Sequence, residues 1–494
     1  MAEEARTKTA ALTPRSSHLQ VGVALLVGLM MLCFVLTSGG PHNFFSKIPD
    51  SAPFTTNKSQ LLRTTSTPAA CSCLPNSVML KGFVPKGQYK EVVQRRAKEY
   101  QSYKIRKSST DTTRLFASSN SPLQYPIQGF VVMPMTPTHI PDLRLFPERR
   151  SNYKVNLKVS KGILTINSPT KQSSVTESNN QTELTIVSTS PVTVNFLLAN
   201  MLYTSSSYHI NTGDFVSFRF EKHEAVFPVT IKQPHVPVLW DIGTDINSRV
   251  TITTMTSPPF SNTKALVESI RYYYPTIKIF IADDINKRRT FSGPNVEQYF
   301  MPQAKGLFAG RNLVLSQLTT KYFLWVDDTF MFTETTKIEK FVEVMEANPE
   351  LDVVGGSLEE IPFYMSMFYE EGDDDEGGCL HMKFGAKFHS LPAYPHCSLV
   401  SGVVNFFLAR TDAVRRVGFD PNIRKTGHPE LFMDGLGSLM VASCNDPQNM
   451  SINLQPQLDQ DYLNRKYRNP EYDEYDYRYP IYFLKNHLKC LTAA

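Results

Sequence analysis

The chain has 494 residues, a formal net charge of +5, and is 41% hydrophobic and 20% charged. That length exceeds one ordinary domain, and the composition is that of a globular protein. The small, dispersed positive charge argues against nucleic acid as a partner.

The first element is VGVALLVGLMMLCFVLTS, Val21–Ser38, a run of 18 residues without a charge and enough to cross a bilayer core as a helix. Arg6, Lys8 and Arg15 precede it, so residues 1–20 are expected to stay cytoplasmic and the rest to be lumenal. The alternative is a cleaved signal peptide; the length of the run and the lack of a small-x-small site favour an anchor. Seven cysteines agree with this: Cys33 lies in the run, and Cys71, Cys73, Cys379, Cys397, Cys444 and Cys490 form an even set suited to disulfides in an oxidising compartment. Sequons at Asn57, Asn180 and Asn449 are usable only there. Residues 39–119 read as a stem, rich in Ser, Thr and Pro up to Ala70, with a short polar helix over Lys90–Lys107.

From Asn120 the texture changes. Tyr153–Val159, Thr182–Ser188, Val192–Leu198, Phe215–Phe220 and Ala225–Ile231 alternate apolar and polar residues between turn-forming ones. Period two with frequent turns predicts an antiparallel β-sandwich over 120–237. It is expected to be a scaffold or to bind carbohydrate or protein.

Residues 238–494 carry a βαβ pattern. Val250–Thr256 is a predicted strand, and Ser261 is placed to cap a helix with Leu266, Ile270 and Tyr273 on one face. Ile277–Asp284 is the next strand, Arg311–Leu318 a helix, and Tyr322–Asp328 another strand. A helix follows with Ile338, Phe341, Val342 and Met345 in register and Thr336 and Glu339 as a capping box; then comes a strand at Leu351–Gly356. Alternating strands and helices predict an α/β fold with a mostly parallel sheet, its ligands at the carboxyl ends of the strands. The acidic run Glu370–Gly378 lacks spaced calcium ligands and is read as a solvated loop. The Tyr467–Tyr479 segment is read as surface chain.

Three features converge on that edge. One strand ends in Asp283-Asp284 and another in Asp327-Asp328, and between them KGLFAGRNL places Arg311 at a helix start. Carboxylates at a strand end suit Mn²⁺ or Mg²⁺, which neutralise a departing diphosphate. Arg311 and a helix N-terminus suit phosphate oxygens, and Asp283 a base or ribose.

FAGRNLVLSQLTTKYFLWVDDTF, DVVGG, SGVVNFFLAR, VGFD and HPELFMDGLGSL, with NSPLQYPIQG and FLKNHLKC, resemble the vertebrate Golgi β-1,4-N-acetylgalactosaminyltransferases that build gangliosides or act on sialylated glycan ends. The resemblance spans Asn120 to the C-terminus. It implies a GT-A fold, a single-span Golgi anchor, a UDP-GalNAc donor and inverting transfer to the 4-hydroxyl of an acceptor galactose. Such enzymes carry Asp-x-Asp or three aspartates after Trp-Val, whereas this chain has Asp327, Asp328 and Thr329. A hydroxyl is a poorer Mn²⁺ ligand than a carboxylate. Three outcomes are open: Asp328 coordinates, the metal binds more weakly through Thr329 or water, or donor turnover is lost.

By resemblance, Glu430 is the general base with Asp434 as second choice, the two sharing a helix face at i and i+4. His487 is a further metal ligand by position, and His428 is noted beside the acid motif. Gly402 and Asn405 either line the donor-sugar pocket or belong to a core strand. Cys397 and Cys444 are expected to staple the acceptor side. Cys71 and Cys73 are expected to bridge to Cys379 and Cys490, within one chain or between two as a disulfide-linked homodimer. The competing class is a catalytically silent relative that binds a glycan or partner.

Overall fold

The computed structural model describes residues 71–493, with gaps at 108–115, 119, 168–174, 178–180, 241–242, 257, 286–288, 292, 360, 424–428 and 459–481. The expected anchor at 21–38, the 39–70 stalk, His428 and Tyr467–Tyr479 lie outside the described residues. Among those described, no helix is long and apolar enough to cross a membrane.

The chain forms two compact units. One is Lys98–Leu239; the other joins the chain up to Ala97 with everything from Trp240 onward. Residues 71–97, expected in the stem, are thus folded chain. Val78–Met79 pairs antiparallel with Leu488–Ala493, Leu80 is buried, and Cys71 and Cys73 are bonded to Cys379 and Cys490. Covalent ties replace the apolar periodicity that the segment lacks. The polar helix is Tyr89–Lys107, close to its expected bounds.

In the Lys98–Leu239 unit a six-stranded sheet and a three-stranded sheet share one core that includes Val155, Leu157, Leu164, Ile186, Tyr203, Phe218 and Phe227. The long hairpin Asn211–Phe220 with His223–Lys232 anchors the larger sheet. Phe130–Val132 joins it in parallel, so the sheet is mixed rather than wholly antiparallel. VTVNFLL, expected as a strand, is instead the helix Pro191–Ala199. Ser190 Oγ accepts from Thr193 N at 3.5 Å, Pro191 occupies the first turn, and Val194, Leu197 and Leu198 are buried at helical spacing. Cap and spacing override the β-branched residues. Buried Asp214 pins this unit: it accepts from Ser160 N (3.2 Å), Ser160 Oγ (2.5 Å), Lys161 N (2.7 Å), Phe215 N (2.7 Å) and Tyr203 OH (3.1 Å).

The larger unit is built on a nine-stranded sheet. Its order is Val296–Phe300, Lys278–Asp283, Val250–Thr256, Tyr322–Val326, Phe406–Arg410, Val353–Gly355, Val441–Cys444, Tyr394–Val400 and Ser390–Leu391. The first four strands run parallel; Phe406–Arg410 is antiparallel to both of its neighbours, so the sheet is mixed rather than mostly parallel. YFLWV is apolar throughout because both faces are covered: Phe323 and Trp325 join one core, and Tyr322, Leu324 and Val326 the other. A second sheet runs Val78–Met79, Leu488–Ala493, Gly377–Phe384, Tyr364–Asp373 and Gly402–Val403. The acidic run expected as a loop is mostly this hairpin, with Tyr364–Asp373 and Gly377–Phe384 as its arms.

Local details differ too. The helix Phe260–Tyr273 starts after Pro259 with no side-chain cap, so Ser261 does not cap it; Leu266 and Ile270 are buried while Tyr273 is 39% exposed. The Thr336–Glu339 capping box does not form. Thr336 Oγ1 donates to Ser451 O at 2.7 Å, and Glu339 Oε2 accepts from Tyr274 OH at 2.7 Å.

Candidate active site

Strand register builds the site. Tyr322–Val326 pairs antiparallel with Phe406–Arg410, Val326 opposite Phe406. One step further along, Asp327 faces Asn405, and Asn405 Nδ2 donates to Asp327 Oδ2 at 3.0 Å. Arg311 Nη2 donates to Asn405 Oδ1 at 2.7 Å and stands 3.8 Å from Asp327 Oδ1, which also accepts from Trp325 Nε1 at 3.1 Å. The Arg311 guanidinium lies 4.2 Å from the Trp325 ring, 5.2 Å from Phe308 and 5.3 Å from Phe419. Arg311, Asn405, Asp327 and Trp325 thus form one chain of contacts at the carboxyl end of the strand.

Arg311 was expected at a helix start. The helix is Leu307–Gln317, so Arg311 sits in its second turn and is 1% exposed. Gly310 presses that helix onto the sheet; a Cβ there would lie 2.7 Å from Met255 Sδ and 3.1 Å from Ala282 Cβ. The helix begins instead at Gly306, whose φ of +91° and ψ of 172° only glycine adopts readily. Gly306 N donates to Asp284 Oδ2 at 2.9 Å. Burial raises the Asp284 carboxyl, and that amide holds it down. Asp283 ends the next strand but one: its Oδ1 accepts from Ile285 N at 2.8 Å and its Oδ2 from Gln298 Nε2 at 2.6 Å. Thr256 pairs with Asp283 and Thr253 with Trp325, so both aspartate pairs share one edge of the sheet.

Asp328 and Thr329 are 2% and 0% exposed. Thr263 Oγ1 donates to Asp328 Oδ2 at 3.3 Å. Gln455 clamps the turn: its Nε2 reaches Asp328 O and Phe330 O at 3.0 Å each and Asn262 O at 2.9 Å, while its N–H donates to Thr329 O at 3.0 Å. Two carboxylates and a hydroxyl are the hard-oxygen set that Mn²⁺ and Mg²⁺ take, so the donor chemistry fits a divalent cation. His487 lies beside Gly377, with Arg96, Asp373 and Asp374 as its charged neighbours; burial and Arg96 hold its pKa down. Among the described residues no His, Asp and Glu ligand atoms converge in threes; the one such cluster is Cys73, Cys379 and Cys490. Gly402 faces Phe432 and Met365, where a Cβ would meet carbons at 3.0 and 3.1 Å, so it is core strand rather than pocket lining.

A second group adjoins the first through Phe419 and Asp420. Phe419 N donates to Asn312 Oδ1 at 3.0 Å, and Asp420 N donates to Glu430 Oε1 at 2.9 Å. Glu430 and Asp434 are the first and last residues of the helix Glu430–Asp434. Lys485 Nζ gathers three carboxylates: Glu430 Oε1 at 2.8 Å, Asp420 Oδ2 at 3.4 Å, and Asp434 Oδ2. The Glu430 side chain is 0% exposed and that of Asp434 13%. Asp434 borders a surface depression with Ala413, Arg416, Val417 and Ser438. Burial lifts the Glu430 carboxyl to about 7; Lys485 pulls it down and the Asp434 charge pushes it up. Two interacting carboxyls of this kind titrate as a pair.

Trp325, Gln455, Thr263, Asp420 and Lys485 were not singled out from sequence as site residues. Trp325, Asp420 and Lys485 stand inside the quoted motifs FLWVDD, VGFD and FLKNHLKC without a role of their own there; Gln455 and Thr263 lie in segments without a motif and are brought in by the fold. Cys397 and Cys444 face each other across Tyr394–Val400 and Val441–Cys444 and are bonded. Cys71 bonds Cys379 and Cys73 bonds Cys490, both within the one chain.

The model of glycosyl transferase family 2 matches residues 260–363, which include Asp283, Arg311 and Asp327–Thr329. The match and the mixed α/β sheet are those of the family 2, or GT-A, glycosyltransferase fold. The chain is 40% identical over 421 residues to human β-1,4 N-acetylgalactosaminyltransferase 1, covering 81% of this chain and 78% of the relative. With the rat enzyme of the same name the identity is 41% over 418 residues, and with mouse β-1,4 N-acetylgalactosaminyltransferase 2 it is 40% over 407, with the same coverage. The chain belongs to the β-1,4-N-acetylgalactosaminyltransferase family and is a glycosyltransferase.

Proposed function

We propose that the protein moves GalNAc from UDP-GalNAc, with inversion, to the 4-hydroxyl of galactose on a sialylated glycolipid or glycoprotein glycan. The observation that carries this reading is the buried Arg311–Asn405–Asp327 bridge at the strand ends, joined through Phe419-Asp420 to the Glu430–Asp434 acid pair. Transferases of family 2 generally use a UDP-sugar and a divalent cation. Asp327 and Asp328, with Thr329 as a neutral third group, would hold that ion, Mn²⁺ before Mg²⁺. When bound, the ion supplies charge neutralisation to the departing diphosphate. Asp283 and Asp284 orient the nucleotide end, and Arg311 fixes Asp327 through Asn405 rather than meeting phosphate itself.

The acceptor hydroxyl must lose a proton as its oxygen attacks the anomeric carbon. The Glu430–Asp434 pair takes that proton. Asp434 is the member that reaches the surface, and Glu430 is the buried partner that exchanges a proton near neutral pH. The oxygen–carbon bond forms as the bond from the anomeric carbon to the diphosphate oxygen breaks, and UDP leaves with that electron pair.

The apolar run 21–38, the sequons and the three disulfides support placement in the Golgi membrane as a single-pass type II protein with this site lumenal. A disulfide-linked homodimer remains part of the proposal in one form only, exchange of the Cys71–Cys73 segment between copies. Non-reducing electrophoresis at monomer size removes it. The test of the activity is full-length protein with UDP-GalNAc and sialylated lactose-type acceptors, with the product read by its anomeric proton coupling and linkage. A β-1,4-linked product is expected; an α product contradicts inversion, and a different linkage contradicts the acceptor. The second reading, a silent glycan-binding relative, is favoured by Thr329, which is neutral and fully buried where the family resemblance implies a carboxylate.

A further inference from the structure

The cation that contacts both members of the acid pair comes from far away in the sequence. Lys485 lies on a single helical turn, 482–485, just before the Leu488–Ala493 strand. Its ammonium contacts Glu430, Asp420 and Asp434 together. One ammonium, on a side chain 35% exposed, bridges all three carboxylates and so fixes their mutual orientation. Glu430 Oε2 is buried without a hydrogen-bond partner, so Oε1, held by Lys485 and by Asp420 N, is what sets the orientation of that carboxyl.

The turn is itself held by Arg96, 6% exposed, on the helix Tyr89–Lys107. Arg96 Nη2 donates to Phe483 O and Leu488 O at 3.0 Å each, and Nη1 to Glu376 O at 3.3 Å. Those two carbonyls bracket the turn that carries Lys485. The same region is closed covalently, with Cys73 bonded to Cys490 and Cys71 to Cys379.

We propose that Lys485 is a positioning residue that orients and charges the Glu430–Asp434 pair, and that Arg96, from the membrane-proximal segment, holds Lys485 in place. This rests on reading Glu430 and Asp434 as the acid–base pair. It makes the 71–97 segment part of the catalytic machinery rather than a spacer. The direction of the effect follows from the charges. The groups facing Glu430 are Lys485, Asp434 and Asp420. The Lys485 ammonium and the Asp420 N–H favour the ionised form, so removing the ammonium leaves one amide against burial and the Asp434 charge, and the carboxyl rises further. A base that must be ionised then works only at higher pH.

The experiment uses the full chain in detergent with UDP-GalNAc and a sialylated lactose-type acceptor, and measures kcat and KM across pH. Lys485→Met is expected to lower kcat about 100-fold, within the range of a positioned acid or base. The acidic limb of the profile should move up by about one pH unit or more, and KM for UDP-GalNAc should stay within about twofold, since the donor residues are untouched. Lys485→Arg, which keeps the charge, should leave the limb near its natural pH and recover most of kcat. Arg96→Met should move the limb in the same direction as Lys485→Met. An unmoved limb in Lys485→Met, with activity falling only as folded protein is lost, overturns the proposal. So does natural turnover in that variant. If Lys485→Met does not fold, Arg96→Met and Lys485→Arg decide: an unmoved limb in the first, or a limb moved up in the second, overturns it. Glu430→Gln and Asp434→Asn separate the two layers. If both keep natural turnover, the acid-pair reading fails; if either abolishes turnover while Lys485→Met is active with an unmoved limb, the Lys485 proposal alone fails.

Discussion

Asn405→Ala removes a bridge between two buried charges. Arg311, 1% exposed, loses an acceptor at 2.7 Å, and Asp327, 8% exposed, loses a donor at 3.0 Å. A hydrogen bond to a charged buried group is worth about 1.5–3 kcal/mol, so the two together amount to about 3–6 kcal/mol. Arg311 and Asp327 already stand 3.8 Å apart, and closing that gap restores part of the loss. The expected net effect is about 2–4 kcal/mol, shared between folding and donor binding. A share of about 2 kcal/mol in binding weakens UDP-GalNAc about 30-fold. Calorimetric titration of the donor in Mn²⁺, with a thermal melt of the same preparation, separates the shares. Asn405→Asp keeps the acceptor for Arg311 but sets a second carboxylate against Asp327, and should weaken the donor at least as much. Donor affinity within about threefold of natural in Asn405→Ala, with an unchanged melt, refutes the claim that this bridge organises the site.

Three further outcomes follow from single positions. Asp214→Ala leaves five donors of the Lys98–Leu239 unit without their acceptor and should destabilise it by about 3 kcal/mol or more; a urea melt within 1 kcal/mol of natural, a threshold set by about one ordinary hydrogen bond, contradicts this. Gly306→Ala forces a φ of +91° on a side chain and disturbs the amide that meets Asp284, so KM for UDP-GalNAc should rise with kcat less affected; an unchanged KM speaks against a donor role for Asp284. Burial raises Glu430 from 4.5 to about 7 in the folded state, so the folded state holds this proton more tightly than the unfolded chain. That stabilisation is complete below pH 4.5 and is lost as pH rises through 7. The natural protein should therefore lose more melting temperature between those pH values than Glu430→Gln, and parallel slopes would contradict the shift.

Much of the larger unit was legible because its strands are buried on both faces and its carboxylates close them. Val250–Thr256 and Lys278–Asp283 lie where apolar runs between Pro and Asp placed them. Arg311 lies one turn inside its helix rather than at the start, because the start is set by Gly306 through its backbone angle. The VTVNFLL helix was missed because β-branched residues outweighed the Ser190-Pro191 start signal that stands in front of them. The antiparallel strand Phe406–Arg410 reads FFLAR, a buried apolar run that carries no direction, yet its register alone brings Asn405 to Asp327. Lys485, Gln455 and Arg96 act over separations of 55, 127 and 392 residues, which no local pattern encodes. His487 matched a family position, but its neighbours in space are those of the hairpin at Gly377.

The central claim is that a site with Thr329 in place of a third carboxylate still turns over its donor. The most direct measurement is UDP-GalNAc transfer to sialylated lactose-type acceptors by the full chain across a Mn²⁺ titration, beside Thr329→Asp. The account predicts turnover in the natural protein that saturates at high Mn²⁺, with Thr329→Asp saturating at lower Mn²⁺. Silence in the natural protein at every Mn²⁺ concentration, with turnover restored in Thr329→Asp, would contradict it and leave a disarmed relative kept for binding.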